Sequence, residues 1–385
     1  MRSFWLILPI LSGCSFSLDP LGPVDAQAPC TADTDCAAPD PRCDVASGRC
    51  VPCLPGGSEC AGGHCATTDG GFACASGCVV DGDCKSGGAP ACCKGACVDT
   101  ATDPKNCGGC GTVCNIAHGT AGCAASGCTI VACDQPYADC DKTAADGCEA
   151  DLTSAANCGK CGVVCPHACG SSLTAPMTMQ PTGWTFNGSA AWDGNAKTGV
   201  LTPDQLNNAG SIVYQNQIMV DAFDAVFDFK IATKGAFPAD GMGFMLETDG
   251  PSAVGRVASG LGIAGLHGFG IELDVWNNAI CGDSDGNHVA LDDLTFCAAQ
   301  MPTLIGKTAM PAFMLGDGSW HTAAIHFDNG AVKLTLDGAT VLDGESLPLF
   351  QPAPYYFGFG AGTGGSSARM EIRNVGVVFP SLRCL

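Results

Sequence analysis

The chain has 385 residues, with 17 Lys and Arg against 38 Asp and Glu, for a formal charge of -21. An acidic surface of this kind repels polyphosphates, so a nucleic-acid partner is disfavoured, while cation ligation is favoured. Only 14% of residues are charged and 53 are glycine, which predicts tight turns and compact β-structure over long helices. The length allows two or three domains. The 29 cysteines divide the chain: one at position 14, twenty-five from Cys30 to Cys169, and Cys281, Cys297 and Cys384 beyond. That density points to an oxidising compartment.

At the N-terminus, Arg2 precedes an apolar run from Phe4 to Leu11 that is too short for a permanent membrane span. It ends in Leu11-Ser12-Gly13-Cys14, which resembles the lipobox of bacterial lipoproteins. The resemblance implies a signal peptide over 1–13, a lipidated Cys14, and membrane contact through that anchor alone. With Ser15 next, it implies a surface-exposed protein of the cell envelope, at the outer membrane. The plainer alternative is a secretory signal with a stray cysteine. Parity supports lipidation, because setting Cys14 aside leaves 28 cysteines, an even number. Residues 14–29 hold three prolines and read as a linker.

From 30 to 170 large apolar residues are scarce, so disulfides must replace a core. Residues 30–100 form one cysteine-rich region and 101–170 another. The second holds a repeat: Asn106-Cys107-Gly108-Gly109-Cys110-Gly111-Thr112-Val113-Cys114 matches Asn157-Cys158-Gly159-Lys160-Cys161-Gly162-Val163-Val164-Cys165. It resembles cysteine-rich modules of myxobacterial surface proteins. The CxxC pairs 50/53, 107/110 and 158/161 also have zinc spacing, but export favours structural disulfides. The acidic stretch from Asp139 to Glu149 lacks EF-hand spacing and reads as a turn.

After residue 170 the composition changes. Strand-like runs cover 211–231, 243–247, 269–276, 288–291, 322–327, 332–336, 355–360 and 370–379, separated by turn signals such as Asp328-Asn329-Gly330 and Asp337-Gly338. Residues 171–385 are therefore expected to be an all-β domain, behind a loop-dominated stalk.

Within it, Phe269-Gly270-Ile271-Glu272-Leu273-Asp274-Val275-Trp276-Asn277-Asn278 is followed by Asp283 and His288. As a strand, this segment places Glu272, Asp274, Trp276 and Asn278 on one face and Ile271, Leu273 and Val275 on the other. The clustered carboxylates repel one another unless a cation joins them. Oxygen donors suit calcium, and one histidine suits a transition metal such as manganese.

The spacing from Glu272 to His288 resembles the metal motif of legume-type (concanavalin A-like) lectins, and the likeness covers about 182–379. It implies a jelly-roll β-sandwich in which Asp274 and Asp283 bridge calcium and manganese. The Trp276 carbonyl and Asn278 bind calcium, and Glu272 and His288 bind manganese. Ala239-Asp240-Gly241 resembles the family segment with a cis Ala–Asp peptide, whose Asp accepts sugar hydroxyls. The glycine-rich 259–265 resembles the loop that offers backbone N–H groups, here through Gly262, Ala264 and Gly265. Residues 358–365, with Gly364, resemble the loop that tunes specificity. Glycans are the implied partners, with Trp276 stacking on a pyranose; the sequence does not specify an oligomeric state.

Cys281 and Cys297 depart from the plant pattern, and a disulfide between them is expected to brace the metal loop. Twenty-five stalk cysteines cannot pair among themselves, so one is expected to reach Cys384, with Cys169 the candidate. Two other functions compete. A glucanase of this fold uses Glu-x-Asp-x-x-Glu, but Asn277 occupies the acid position. A structural or adhesive module without a sugar site has no need of the buried charges.

Overall fold

The computed structural model describes residues 28–385 except 58, 61–62, 85–87, 279–284, 297–301 and 349. Cys14, Cys281, Asp283 and Cys297 lie outside the described residues. Two compact units emerge, one running to Ile116 and adding Thr120–Ala132, the other taking Ala117–Gly119 and Cys133–Leu385. The expected boundary at 170/171 does not separate compact bodies, because the second repeat belongs with the β-domain.

In the first unit, β1 (Arg42–Asp44) pairs with β2 (Arg49–Val51), β3 (Gly63–Thr68) with β4 (Gly71–Ser76), and β5 (Ala91–Cys93) with β6 (Ala96–Val98). A fourth hairpin joins β7 (Gly119–Ala124) to β8 (Gly127–Cys133). The buried residues are mainly cysteines, among them Cys43, Cys53 and Cys107. Disulfides thus supply the interior that the sequence cannot. Every cysteine of the three CxxC pairs is bonded to a partner outside its motif.

The second repeat folds like the first. Asn106 Oδ1 accepts from the Gly111 N–H at 2.8 Å, and Asn157 Oδ1 accepts from the Gly162 N–H at 3.0 Å. The N–H of Cys107 donates to Thr112, and that of Cys158 to Val163, both at 2.8 Å. In the first copy, Cys107 bonds Cys123 on β7 and Cys114 bonds Cys128 on β8. The second copy has β9 (Tyr137–Ala138) and β10 (Ala150–Asp151) but no closing hairpin of its own. The first and last strands of the β-domain take that place. Cys158 bonds Cys169 on β11 (Cys169–Ala175), and Cys165 bonds Cys384 on β26 (Arg369–Cys384). Cys169 and Cys384 face each other across the β11–β26 ladder, yet Cys169 is not the partner of Cys384. The repeat decides the pairing: its first cysteine takes the first closing strand, and its third takes the second.

The remaining strands are β12 (Trp184–Gly188), β13 (Ala191–Asp193), β14 (Thr198–Thr202), β15 (Ala209–Tyr214), β16 (Ile218–Val220), β17 (Ala222–Ala232), β18 (Gly241–Glu247) and β19 (Gly268–Asp274). They continue as β20 (His288–Phe296), β21 (Pro302–Ala309), β22 (His321–Asp328), β23 (Ala331–Leu336), β24 (Ala339–Ser346) and β25 (Ala353–Gly362). One sheet has the order β13-β14-β26-β17-β22-β23-β24, with β11 also on β26. The other has β12-β15-β25-β18-β19-β20-β21, with β16 also on β25. The expected jelly-roll sandwich is therefore present. Among the described residues no helix is long and apolar enough to cross a membrane.

Alternation builds the core. Phe223, Ala225, Phe227, Phe229 and Ile231 of β17 point inward, with Asp224, Asp228 and Lys230 between them. The opposite sheet answers with Phe244, Phe357 and Phe359, and the Phe227 and Phe359 rings meet edge to face at 4.8 Å. A smaller core of Met245, Leu261, Ile263, Leu266 and Leu294 covers the other face of β18, beneath the 250–266 loop. Gly360 permits this, because a Cβ there would lie 2.6 Å from the Gly262 carbonyl oxygen.

Candidate functional site

The site gathers at one end of β18 and β19. Ile271, Leu273 and Val275 join the main core as expected, and Glu272 and Asp274 are buried. The strand stops at Asp274, however, so Trp276 and Asn278 do not extend its face. The Trp276 N–H donates to Asp274 Oδ1 at 2.6 Å, and this side-chain bond turns the chain out of the ladder. Trp276 is left 37% exposed and Asn278 partly buried.

Next to β19, strand β20 sets Asp274 opposite His288 and Glu272 opposite Ala290. His288 is fully buried. Its Nδ1–H donates to the Asp285 carbonyl at 2.7 Å, which aims Nε2 at Glu272 Oε1, 3.0 Å away. Burial would lower the imidazole pKa, but the Glu272 hydrogen bond and charge outweigh it and raise it to about 9.

Sequence reasoning missed Asp292. It lies four residues beyond His288 and is buried on the same face. Burial, and then the charge of Glu272, push its carboxyl well above the usual range, and it hydrogen-bonds Glu272. The run Val289-Ala290-Leu291-Asp292-Asp293 contains the signal, since period-two alternation selects Asp292 over Asp293. Three buried carboxyl groups and one imidazole are an oxygen-rich donor set with one nitrogen. That set fits calcium, with a transition metal such as manganese beside it.

The Ala239–Asp240 peptide is cis. Its conformation is clamped from both sides: the Asp240 N–H donates to Gly362 at 3.0 Å, and the Asp240 carbonyl accepts from the Val275 N–H at 2.9 Å. This second bond ties the Asp240 turn to the chain leaving the buried carboxylates. Asp240 is buried, and its Oδ2 has no hydrogen-bond partner among the described residues. Burial raises its pKa to about 6, against the pull of the Gly364 N–H. Gly364 is thus beside Asp240, and a Cβ there would come within 3.0 Å of Oδ2.

The glycine-rich loop is different from expectation. The N–H groups of Gly262, Ala264 and Gly265 donate to Arg256, Gly260 and Leu294 at 2.7–2.8 Å. Gly262 has φ +66 and sits against Ala361, so this stretch is packed into the smaller core and its donors are spent. Ala258, just before this stretch, lies against Gly364.

A sequence model of the legume lectin beta-barrel domain matches residues 177–375, more than half of the 385-residue chain. The chain belongs to the legume lectin family. Its lectin domain is similar in structure to the exoplasmic/lumenal domain of VIP36 in a Ca2+- and mannose-bound form. That match has 20% identity over 54% of this chain and 88% of the other, with a TM-score of 0.44. It is also similar to the lectin from Bauhinia forficata in complex with GalNAc, at 21% identity over 55% and 97% with a TM-score of 0.46. For the basic winged bean lectin with Tn-antigen the identity is 19% over 54% and 96%, with a TM-score of 0.46. The family match supports carbohydrate binding in general.

Proposed function

We propose that this protein is a surface lipoprotein, anchored through Cys14, whose lectin domain binds glycans in a calcium-dependent way. The observation that carries the reading is Asp240, a buried carboxylate with an oxygen that has no hydrogen-bond partner among the described residues, clamped to the chain that leaves Glu272 and Asp274. A buried acceptor left without a partner costs about 1–3 kcal/mol, and a sugar hydroxyl removes that cost.

Glu272, Asp274, Asp283, His288, Asn278 and the Trp276 carbonyl would hold the metals, calcium with manganese beside it. Bound there, the cations neutralise the carboxylates and stiffen the loop after β19. The chain's own groups do the recognition. Asp240 accepts hydroxyl protons, Asn278 donates from its carboxamide, and the exposed face of Trp276 covers the C–H face of a pyranose. Glycan adhesion at the cell surface is the role that follows.

The test is calorimetry of the full chain with calcium, then a glycan array with and without chelator. Calcium uptake with chelator-sensitive glycan binding is expected. Metal uptake without any glycan binding would leave a structural module.

A further inference from the structure

Where the second cysteine repeat meets the sandwich there is a cavity of about 600 Å3, within the range of small-molecule sites. The repeat itself explains why it is there. In the first copy, Ala125 and Ser126 form a tight two-residue turn that joins β7 to β8, both with positive φ. This turn seats the Ser126 carbonyl on Gly108, where a Cβ would come within 2.7 Å of that oxygen. In the second copy Gly159 takes the place of Gly108, and a Cβ there would lie 2.9 Å from the Leu382 carbonyl oxygen. Leu382 thus stands where Ser126 stands, but no turn joins it to β11. The β11–β26 register passes from Gly170 opposite Arg383 to Ser172 opposite Val378. Ser171 alone is therefore set against Phe379, Pro380, Ser381 and Leu382. The ladder opens where the first copy is closed, and the cavity occupies the opening.

We propose that this cavity binds a small organic carboxylate with a compact apolar body. Although the chain has 38 Asp and Glu, none is among the described residues that line the cavity. Its charge comes from Lys160, which replaces Gly109 of the first copy. Lys160 is exposed, and its ammonium forms no ion pair among the described residues. Ser171, Ser381 and Gln135 add further donors. The Ser381 hydroxyl oxygen accepts from Arg383 at 3.3 Å, which leaves its own proton to donate. Leu152, Pro136 and Pro380 supply apolar surface beside the Phe379 ring. A cation has no acceptor charge to meet here, and a purely apolar occupant would strip water from the donors without replacing it. The walls are fixed on both sides. Arg383 is buried, donates to the Ser381 carbonyl at 3.3 Å and to Met219 and Asp221 at 2.8 Å, and stacks on Phe379 at 4.4 Å. On the repeat side, the Gly159 N–H donates to Leu152 at 2.9 Å and the Leu152 N–H to Pro136 at 3.0 Å.

The site stands apart from the lectin reading, and the test keeps them separate. Full-length protein with chelator present is titrated at low salt with benzoate, hexanoate and glucuronate, and with the neutral amide of each, by ligand-observed NMR. The best acid is expected to bind saturably and about tenfold more tightly than its amide, as a charged hydrogen bond in a half-enclosed site implies. A preference for benzoate or hexanoate supports the site with a hydrocarbon acid as its ligand, and a preference for glucuronate supports it with a sugar acid. Lys160→Gln, at an exposed position, is expected to erase the difference between acid and amide. Ser171→Phe, which fills the opening, is expected to abolish binding of both, with a thermal scan showing that the fold is kept. No binding by any acid, equal binding of acid and amide, or an acid held as tightly by Lys160→Gln overturns the site. Acid binding that appears only when calcium replaces the chelator overturns it too, since that binding belongs to the lectin site.

Discussion

Asp240 and Glu247 stand at the two ends of β18, and both are carboxyls that burial drives upward in pKa. Asp240 is the one placed to meet a ligand. Asp240→Asn keeps the side-chain shape but substitutes a neutral amide for the ionised acceptor. Two charged hydrogen bonds at about 1.5–3 kcal/mol each are at stake, so glycan affinity is expected to fall at least 100-fold. The melting temperature is expected to stay unchanged, which a thermal scan beside the glycan titration checks. Glu247 anchors a turn through the N–H groups of Asp249 and Gly250. Its folded pKa of about 7 lies above the ordinary 4.5. The folded state therefore keeps a proton that the unfolded chain has already released. Stability falls as pH climbs from 4.5 to 7, by on the order of 3 kcal/mol, and is flat above that. Glu247→Gln is expected to make this slope shallower, leaving the part that Asp240 and Asp292 contribute in the same window, as urea midpoints at pH 4.5 and pH 8 will show. A slope of unchanged size in the variant assigns the effect to those groups alone.

At the scale of elements, β11 and β26 each serve two structures. They form one ladder of the sandwich and also close the second cysteine repeat through Cys169 and Cys384. The Cys165–Cys384 bond spans 219 residues, and a long closed loop gives a large entropic restriction of the unfolded chain. Replacing both cysteines by serine is expected to cost about 3–5 kcal/mol, measured by denaturant unfolding. A fragment beginning at residue 171 loses the repeat and leaves Cys384 without its partner. The strands around the site were legible because alternation is local: Phe223 to Ile231 and Phe357 to Gly362 have their faces written in the residues themselves. The end of β19 was not legible. Val275 and Trp276 suit a strand, and what stops it is one hydrogen bond from Trp276 to Asp274. Nor was the packing of Gly262, whose N–H is claimed by Arg256 across a turn.

For the whole molecule, charge and cysteine content act together. An acidic chain whose buried carboxyls crowd one end of the sandwich is stabilised by whatever neutralises them. Calcium at about 100 times its Kd is expected to add about 2.7 kcal/mol to the lectin domain, and a chelator to reverse the gain. For a domain of this size that corresponds to roughly 5–10 °C in melting temperature, readable by scanning calorimetry. Asp274→Asn is expected to melt at the same temperature with and without calcium.

The sequence by itself determined what depends on near neighbours and composition. It showed the disulfide-stapled stalk, the all-β domain, and the carboxylates spaced along one strand with His288 beyond, since side-chain direction in a strand follows from residue number alone. Tertiary structure decided what depends on partners far along the chain. Asp292 joins the buried carboxyls because the β19–β20 register sets it diagonally to Glu272. Cys384 takes Cys165 because a repeat some two hundred residues earlier borrows the last strand to close itself. Ser171 and Leu382 meet at one cavity because the first and last strands of the sandwich close the same repeat. Each of these is a choice among many chemically equivalent partners, and only the packed chain makes it.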